Sequence, residues 1–425
     1  MRTIATVLLL VIGMQAAAQK QCATAAYTQH ISADKATGQR MAAVETFIQA
    51  QKKKQTFGAS SQNETKAEAP VIRIPVVVHV VYNTAAQNIS DAQIKSQIAA
   101  LNRDFRKQNS DTVNTPDRFK TFAADVAIEF VLATADPMGR ATNGIVRKQT
   151  SVRGWQMDDK IKSSKWGGAD GWNPNSYLNI WVCNLSQALG YSSLPGSEAA
   201  LDGVVINPTA FGTIGTNAPY NMGRTAVHEV GHWLGLKHIW CDAACGDDNV
   251  GDTPKQGSYT TGTPTRFRSS CSNAPLGDMY MNYMDFTDDK VMNLFTHGQK
   301  DRMRALFNTG GPRHSLLASK GASEPWLEEA VVSEPVATVP EETVVEKKTT
   351  LNIYPNPAVS NVTVNVDAEW IGKELQLMNM TGTVVQRIRI SSATQKINVN
   401  GLSSGIYFLQ GQHAQSRISH KLVKL

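Results

Sequence analysis

The chain has 425 residues, of which 41% are hydrophobic and 18% are charged, so it can hold two or three globular domains and is not a disordered protein. Beyond the N-terminus no run approaches 18 consecutive apolar residues, which excludes a multi-span membrane protein. The formal net charge is +6, but residues 55–312 carry 24 basic and 24 acidic side chains. The central region is therefore neutral, and nucleic acid is not an expected partner.

The N-terminus resembles an export signal. Arg2 is followed by the apolar residues 4–12 and by three alanines, 16–18, which form a cleavage site for a signal peptide of residues 1–18. A membrane anchor is the alternative, but the apolar run is too short to span a bilayer. Export implies an oxidising compartment, and the five cysteines then leave one without a partner.

Composition divides the rest of the chain. Residues 19–54 are polar and basic and end in Lys52-Lys53-Lys54, and residues 55–69 are expected to form a loop. Residues 321–346 hold seven Glu, three Pro and no Lys or Arg, which is typical of a linker. We therefore expect an N-terminal segment of residues 19–54, a central domain of 55–312, a linker of 313–350 and a C-terminal domain of 351–425.

Residue patterns predict interleaved strands and helices in the central domain. The β-branched run at 71–81 predicts a core strand, and Ser90 with Gln93 predicts the start of an amphipathic helix. Further strands are predicted at 126–134, 177–185 and 204–206, and further helices at 225–234 and 296–307. Residues 241–290, rich in Asp, Gly, Pro, Ser and Thr, are expected to be largely irregular.

Three of the nine histidines fall within residues 228–238. His228 and His232 are four residues apart, so both imidazoles project from one helical face and can bind one metal ion. Gly235 can take a positive φ that ends the helix and lets His238 supply a third ligand. Three neutral imidazoles with one open position are typical of catalytic zinc, and Glu229 is placed to accept a proton from water as a general base. A helix with structural histidines is the alternative.

This motif resembles that of the metzincin metallopeptidases, and within them the pappalysin-like branch. Asn282-Tyr283-Met284-Asp285 is similar to the family's Met-turn, which implies that Met284 lies beneath the metal. The resemblance covers about residues 70–310 and implies an α/β (α+β) catalytic domain with a twisted mixed sheet and an irregular C-terminal subdomain. Phe286 stands where the family often has Tyr, so any role of that hydroxyl is unfilled or taken by another group.

The resemblance also implies a reaction and a substrate geometry. Protein or peptide substrates would bind extended along an edge strand near residues 189–193 and be cut by metal-activated water. Some relatives favour Lys or Arg just after the cut. Asp288 and Asp289 follow the Met-turn and are candidates for the pocket that selects a basic side chain, or else are two solvated turn residues.

Asp247, Asp248 and Asp252 lie within six residues, a density of hard oxygen ligands that suits calcium. The segment resembles a calcium loop of the pappalysin-like enzymes, although a plain turn is the alternative. Cys245 and Cys271 resemble a family disulfide. Sequence leaves open whether Cys183 and Cys241 pair with each other.

Cys22 remains unpaired in either case. A thiolate is a good zinc ligand, so we hypothesise that residues 19–54 are a pro-segment in which Cys22 fills the open zinc position and keeps the enzyme latent. Trimming at Lys52–Lys54 would then release it. A stray or mispaired thiol is the alternative.

The C-terminal region, 351–425, shows short strands with period-two alternation and predicts a small antiparallel β-sandwich. The stretches at 354–358, 402–407 and 421–424 resemble the C-terminal sorting domain of type IX secretion cargo. A carbohydrate- or protein-binding module is the alternative. The resemblance implies secretion machinery as a partner and a secreted or cell-surface location, reached through the periplasm and outer membrane.

The sequence thus predicts a secreted, monomeric zinc endopeptidase made as a latent precursor, with calcium as a second ion and no transmembrane span in the mature protein. The rival hypothesis is a surface-binding or adhesive protein built on a catalytically inactive metzincin scaffold. Retention of Glu229 beside all three histidines favours the enzyme, because an inactive scaffold has no chemical need for that carboxylate.

Overall fold

The computed structural model describes residues 22–59, 69–325, 351–379, 384–413 and 416–425. The chain divides into two compact units, with the boundary between Val332 and Ser333, and each unit is described by itself. The predicted signal peptide and residues 326–350 of the predicted linker lie outside the described residues. Within the described part of the chain, no helix is long and apolar enough to cross a membrane.

The N-terminal segment is helical. Helix α1 is Thr24–Ser32 and helix α2 is Lys35–Ala59. The expected loop from residue 55 is therefore wrong for 55–59, which continue α2. Lys and Gln are good helix formers and no proline interrupts them, so the helix passes through Lys52–Lys54.

The first unit contains a six-stranded mixed sheet, in the order β2-β1-β4-β6-β5 with β3 also paired to β1. The long strand β1 is parallel to β2, β3 and β4, and β6 is parallel to β4, whereas the edge strand β5 is antiparallel to β6. The mixed sheet expected from the sequence is confirmed. The strands are β1 Ile72–Tyr82, β2 Ile128–Leu132, β3 Ile145–Gln149, β4 Leu178–Val182, β5 Gly190–Ser192 and β6 Val204–Ile206.

Two helices cover one face of this sheet. Helix α3, Asp91–Phe105, begins where Ser90 accepts a hydrogen bond from the Gln93 amide, and α5 is Arg224–Trp233. Helix α4, Asp117–Lys120, is short, and α6, His297–Ala305, carries the predicted capping box of Thr296 and Gln299. Alternate residues of β1, β4 and β6 pack under α3 and α5, whereas Val81, Trp181 and Val205 belong to a smaller cluster with Tyr27 and Tyr191.

Residues 241–290 are largely irregular, as their composition predicts, with only the short strands β7 Thr261–Gly262 and β8 Phe286–Thr287. The first unit also extends beyond the predicted boundary at 312. Buried Arg313 donates to Asp202 at 2.8 Å, and the Gly321 carbonyl accepts from the amides of Thr134 and Ala135. The linker therefore does not begin at 313, because residues 313–325 pack on the rest of the first unit.

The second unit consists of two antiparallel sheets, ordered β13-β10-β9 and β12-β11-β14-β15. Trp370 is fully buried in its core together with Leu375 and Ile390. The predicted antiparallel β architecture is confirmed. The strands are β9 Leu351–Tyr354, β10 Asn361–Val366, β11 Glu374–Asn379, β12 Val384–Arg389, β13 Thr394–Asn398, β14 Gly405–His413 and β15 Ser416–Lys424.

Candidate active site

Helix α5 carries the first two histidines of the motif on its buried face. It ends at Trp233, and Gly235 at φ +83° turns the chain so that His238 returns to the same point. The Nε2 atoms of His228, His232 and His238 lie 3.1–3.2 Å from one another. The structure thus brings together all three predicted ligand residues.

Each histidine is oriented through its other ring nitrogen. His228 Nδ1 lies 2.7 Å from the Tyr283 carbonyl oxygen, His232 Nδ1 lies 2.9 Å from the Leu236 carbonyl oxygen, and His238 Nδ1 lies 2.6 Å from a carboxylate oxygen of Asp242. Because these partners are acceptors, Nδ1 must carry the proton and Nε2 is left with a bare lone pair.

Three bare lone pairs facing one another repel unless a cation sits among them. Burial and neighbouring His238 lower the pKa of His228 to about 3, and the pKa of His232 also falls well below its usual value. The imidazoles of His228 and His232 are therefore neutral, the form that binds metal. Within the described ranges these histidines and Cys22 are the one group of at least three His, Cys, Asp or Glu donors that could hold an ion. The donor set fits zinc.

Glu229 is fully buried beside this cluster. Its Oε2 accepts a hydrogen bond from the hydroxyl of Thr24 at 2.7 Å, whereas its Oε1 has no protein partner. Burial raises the pKa of Glu229 to about 7.

Met284 packs against α5 beneath the histidines. A side chain at Gly231 would place its Cβ 2.6 Å from Met284 Sδ, so the close approach requires glycine. The same turn supplies the Tyr283 carbonyl that orients His228. The ring of Phe286 covers the cluster, with its centroid 4.8 Å from that of His238 and 5.6 Å from that of His228.

The N-terminal segment enters the site along strand β5. Cys22 pairs with Gly190 in a parallel bridge, and the Ala23 amide donates to the Gly190 carbonyl at 2.9 Å. Cys22 Sγ lies 3.6 Å from His232 Nε2. Burial and the nearby Glu229 raise the pKa of the Cys22 thiol well above its usual value, a shift that a cation at the histidines would oppose.

Sequence reasoning missed Thr24. Its hydroxyl oxygen accepts from the Ser192 amide at 2.9 Å while its proton goes to Glu229. The side chain is 2% exposed. Its position two residues after Cys22 is the one sequence signal that could have pointed to Thr24, and a threonine at that position is compatible with many roles.

Of the two candidate specificity residues, only Asp289 lines a pocket next to the histidines. Asp289 is buried in its wall with Leu189, Tyr220 and Arg224, and its Oδ2 accepts from the Met222 amide at 2.8 Å. Burial raises the pKa of Asp289 to about 6. Asp288 does not line the pocket; it accepts from the Thr263 hydroxyl at a half-exposed position.

The acidic loop, residues 247–252, is only partly assembled as an ion site. Asp248 is buried and accepts from the Thr253 hydroxyl, while Asp247 is exposed and accepts from the Asn249 amide. Asp252 points away to cap α6, accepting from Thr296 Oγ1 at 2.7 Å and from the Gly298 amide at 2.8 Å. Asp252 is thus engaged at the start of α6, and a calcium site formed by all three carboxylates stays a prediction.

The loop is held by a disulfide between Cys245 and Cys271. This pairing is the one implied by the family resemblance. Cys183 is buried and Cys241 half-buried, and both are free thiols, which answers the pairing question left open by the sequence.

Comparison with known proteins agrees with this geometry. Residues 161–308 match the family model described as pregnancy-associated plasma protein-A, and residues 352–425 match the secretion system C-terminal sorting domain. An extracellular metalloprotease of Pyricularia oryzae is 32% identical over 259 residues, which cover 59% of this chain and 80% of that protein.

Solved structures give closer likenesses. Mature mirolysin of Tannerella forsythia in complex with a cleaved peptide is 50% identical, with a TM-score of 0.59 over 60% of this chain and 99% of that one. A promirolysin variant from the same organism is 44% identical, with a TM-score of 0.64 over 72% of this chain and 99% of that one. The rival hypothesis of a non-enzymatic adhesin finds no counterpart among these relatives. The chain therefore belongs to the pappalysin family of secreted metalloproteases, and it carries a type IX secretion sorting domain.

Proposed function

We propose that the protein is a zinc-dependent endopeptidase in which His228, His232 and His238 hold the metal and Glu229 is the general base. The observation that carries the proposal is the convergence of three Nε2 atoms within 3.2 Å, each imidazole fixed by an acceptor at Nδ1. Such ligand orientation through a hydrogen bond at the far nitrogen is typical of metal-binding histidines.

The chain's own groups would act as follows. When bound, zinc supplies Lewis-acid chemistry that polarises the substrate carbonyl and acidifies a water molecule. The Glu229 carboxylate accepts the proton of the attacking water and delivers it to the departing amide nitrogen. Gly190 and Ser192 on the edge strand offer main-chain groups that align an extended peptide, as they align the N-terminal segment.

Asp289 is the residue that we assign to cleavage preference. It lies in the wall of the pocket beside the histidines, where a carboxylate favours a Lys or Arg side chain just after the cut. We assign no such role to Asp288, whose carboxylate is engaged with Thr263 outside the pocket.

Residues 19–54 together with the rest of α2 are proposed to be a pro-segment that keeps the enzyme latent. Cys22 Sγ would serve as the fourth metal ligand, and its 3.6 Å distance from His232 Nε2 supports this role. At the same time the Thr24 hydroxyl would donate a hydrogen bond to the general base, Glu229. A relative in this family is known as a pro-enzyme, promirolysin. Cleavage at the exposed Lys53 would weaken the attachment of the segment.

Calcium is proposed for the acidic loop, with oxygen ligands from Asp247, Asp248 and neighbouring carbonyls. The site borders a cavity lined by Asn249 and Gly251, which leaves room for an ion. Asp252 is outside this ligand set because it caps α6.

The decisive test is incubation of the processed enzyme with a peptide library, with and without a zinc chelator, beside Glu229→Ala. We expect cleavage before Lys or Arg that chelation abolishes and that Glu229→Ala reduces by roughly 10²–10⁴-fold without loss of bound zinc. Equal cleavage by the wild type and the variant would refute the assignment. Asp301→Asn, an exposed change on α6, is the matched control.

A further inference from the structure

A pocket shaped for a phenol lies on the face of strand β5 opposite to Glu229. In the structure Tyr27 of α1 fills this pocket and is 1% exposed. The Tyr27 hydroxyl donates to Asp159 Oδ2 at 2.8 Å, and its ring centroid lies 4.8 Å from that of Tyr191. Lys162 Nζ lies 5.0 Å from the centre of the Tyr27 ring, within range of a cation–π contact. Both the face and the hydroxyl of the phenol are therefore recognised.

The residues that line the pocket belong to the catalytic domain, and they contact one another independently of Tyr27. Lys162 Nζ lies 2.9 Å from Asp159 Oδ1 and donates to the Leu201 carbonyl at 2.7 Å. The same ammonium group lies 5.0 Å from the Tyr191 ring and 5.6 Å from the Trp181 ring. We expect these contacts to persist when the N-terminal segment leaves, and Asp159 Oδ2 then loses the phenol donor that it has in the precursor.

The pocket is adjacent to the path of a substrate. Leu189 lines the Asp289 pocket, whereas the Gly190 carbonyl accepts from the Ala23 amide and the Ser192 amide donates to the Thr24 hydroxyl oxygen. If the residue after the cut occupies the Asp289 pocket, the residues before the cut lie along Tyr191 and beyond. Residues paired across strands point to the same face, so a substrate side chain opposite Tyr191 points toward the phenol pocket.

We propose that in the processed enzyme this pocket, formed by Asp159, Lys162 and Tyr191, is a subsite for a tyrosine side chain located before the scissile bond. The proposal rests on the endopeptidase function proposed above. It gives Tyr27 a second effect in the precursor, because the segment then blocks a specificity subsite as well as the metal and the general base.

The test compares peptides that share one basic residue after the cut. Tyr, Phe or Ala is placed in turn at each of the three positions before the cut, and kcat/KM is measured with the full chain after removal of its N-terminal segment. At one position we expect Tyr to exceed Phe by roughly tenfold, because only Tyr donates to the Asp159 carboxylate, and Phe to exceed Ala.

Variants of the pocket residues test which side chains cause the preference for Tyr. Asp159 has φ +58°, so Asp159→Gly removes the acceptor without backbone strain and is expected to abolish the advantage of Tyr over Phe. Asp159→Asn keeps an acceptor and should retain part of that advantage. Tyr191→Leu should lower kcat/KM for Tyr and Phe peptides alike. If Asp159→Gly fails to fold, this variant shows whether the pocket binds the aromatic ring. Asp158→Asn is the matched control, because that carboxylate pairs with Lys160 instead.

A second readout does not depend on catalysis. Binding of the same peptides to the Glu229→Ala enzyme, measured by fluorescence anisotropy, should follow the order Tyr, Phe, Ala. If peptides are cleaved and yet Tyr gives no advantage in cleavage or binding at any position, the subsite proposal is wrong while the endopeptidase function stands. If Tyr binds preferentially and nothing is cleaved, the subsite stands and the proposed function fails.

Discussion

The histidine cluster and the acidic loop both gather metal-ligand atoms, but their donor atoms are in different states. In the cluster the three Nε2 atoms point at one another, with the Cys22 thiol 3.6 Å from that of His232, while the three Nδ1 atoms are engaged. In the loop Asp248 accepts from Thr253, and Asp252 caps α6. Carboxylates that are already hydrogen-bonded within the fold depend less on a cation than bare lone pairs do. We therefore expect loss of metal to matter most at the histidines.

The largest effect is expected from removing a ligand. His238→Ala leaves two imidazoles and should lose nearly all bound zinc and all measurable cleavage. Asp242→Ala, which removes only the acceptor for His238 Nδ1, should weaken zinc binding by roughly 10–100-fold. Zinc content and affinity measured by chelator competition check both, with Asp301→Asn as the control. Full zinc occupancy in His238→Ala would contradict the ligand assignment.

A large but separable effect is expected for latency. In the uncleaved precursor, Cys22→Ala should raise activity strongly, and Thr24→Val should raise it less, because it frees Glu229 while the thiol stays in place. Thr46→Val, which removes an exposed hydroxyl on α2, is the control. Hydrogen exchange at the Ser192 amide provides a readout independent of activity, since that amide donates to Thr24. If the Cys22→Ala precursor is as latent as wild type, the thiol has no role.

A smaller effect is expected at the acidic loop. Chelation of calcium with zinc kept saturated should lower the melting temperature by a few degrees, because an ion that binds only the folded state stabilises it. Asp248→Asn should remove most of that sensitivity. An unchanged melting temperature on chelation would refute the calcium proposal.

The smallest effect concerns the attachment of helix α2. The Arg302 guanidinium beside Glu45 lowers the pKa of that carboxyl to about 2, despite partial burial that opposes the shift. A carboxyl whose folded-state pKa is depressed contributes stability above its unfolded value of about 4.5 and loses it as the pH falls toward 2. We expect the melting temperatures of wild type and Glu45→Gln to differ by a constant amount between pH 5 and 8, corresponding to about 1 kcal/mol, and to converge below pH 4.5. A difference that grows on acidification would contradict this pairing.

Local rules accounted for much of the fold. The β-branched run predicted β1, and the capping residues Ser90 and Thr296 predicted where α3 and α6 begin. Strand β3 was missed because its five residues alternate weakly and it is stabilised by pairing with the distant β1. The end of the catalytic fold was also misplaced, since the bond from Arg313 to Asp202 spans 111 residues and leaves no local signal.

The amino-acid sequence by itself determined the histidine motif and the role of Gly235, because helix geometry and a positive φ are local properties of the chain. Only the tertiary structure decided which distant groups meet that motif. Cys22 reaches His232 across 210 residues, Thr24 reaches Glu229 across 205, and Asp289 rather than its neighbour Asp288 lines the pocket. Such contacts depend on how the N-terminal segment and the irregular region pack on the sheet, and no spacing along the chain encodes that packing.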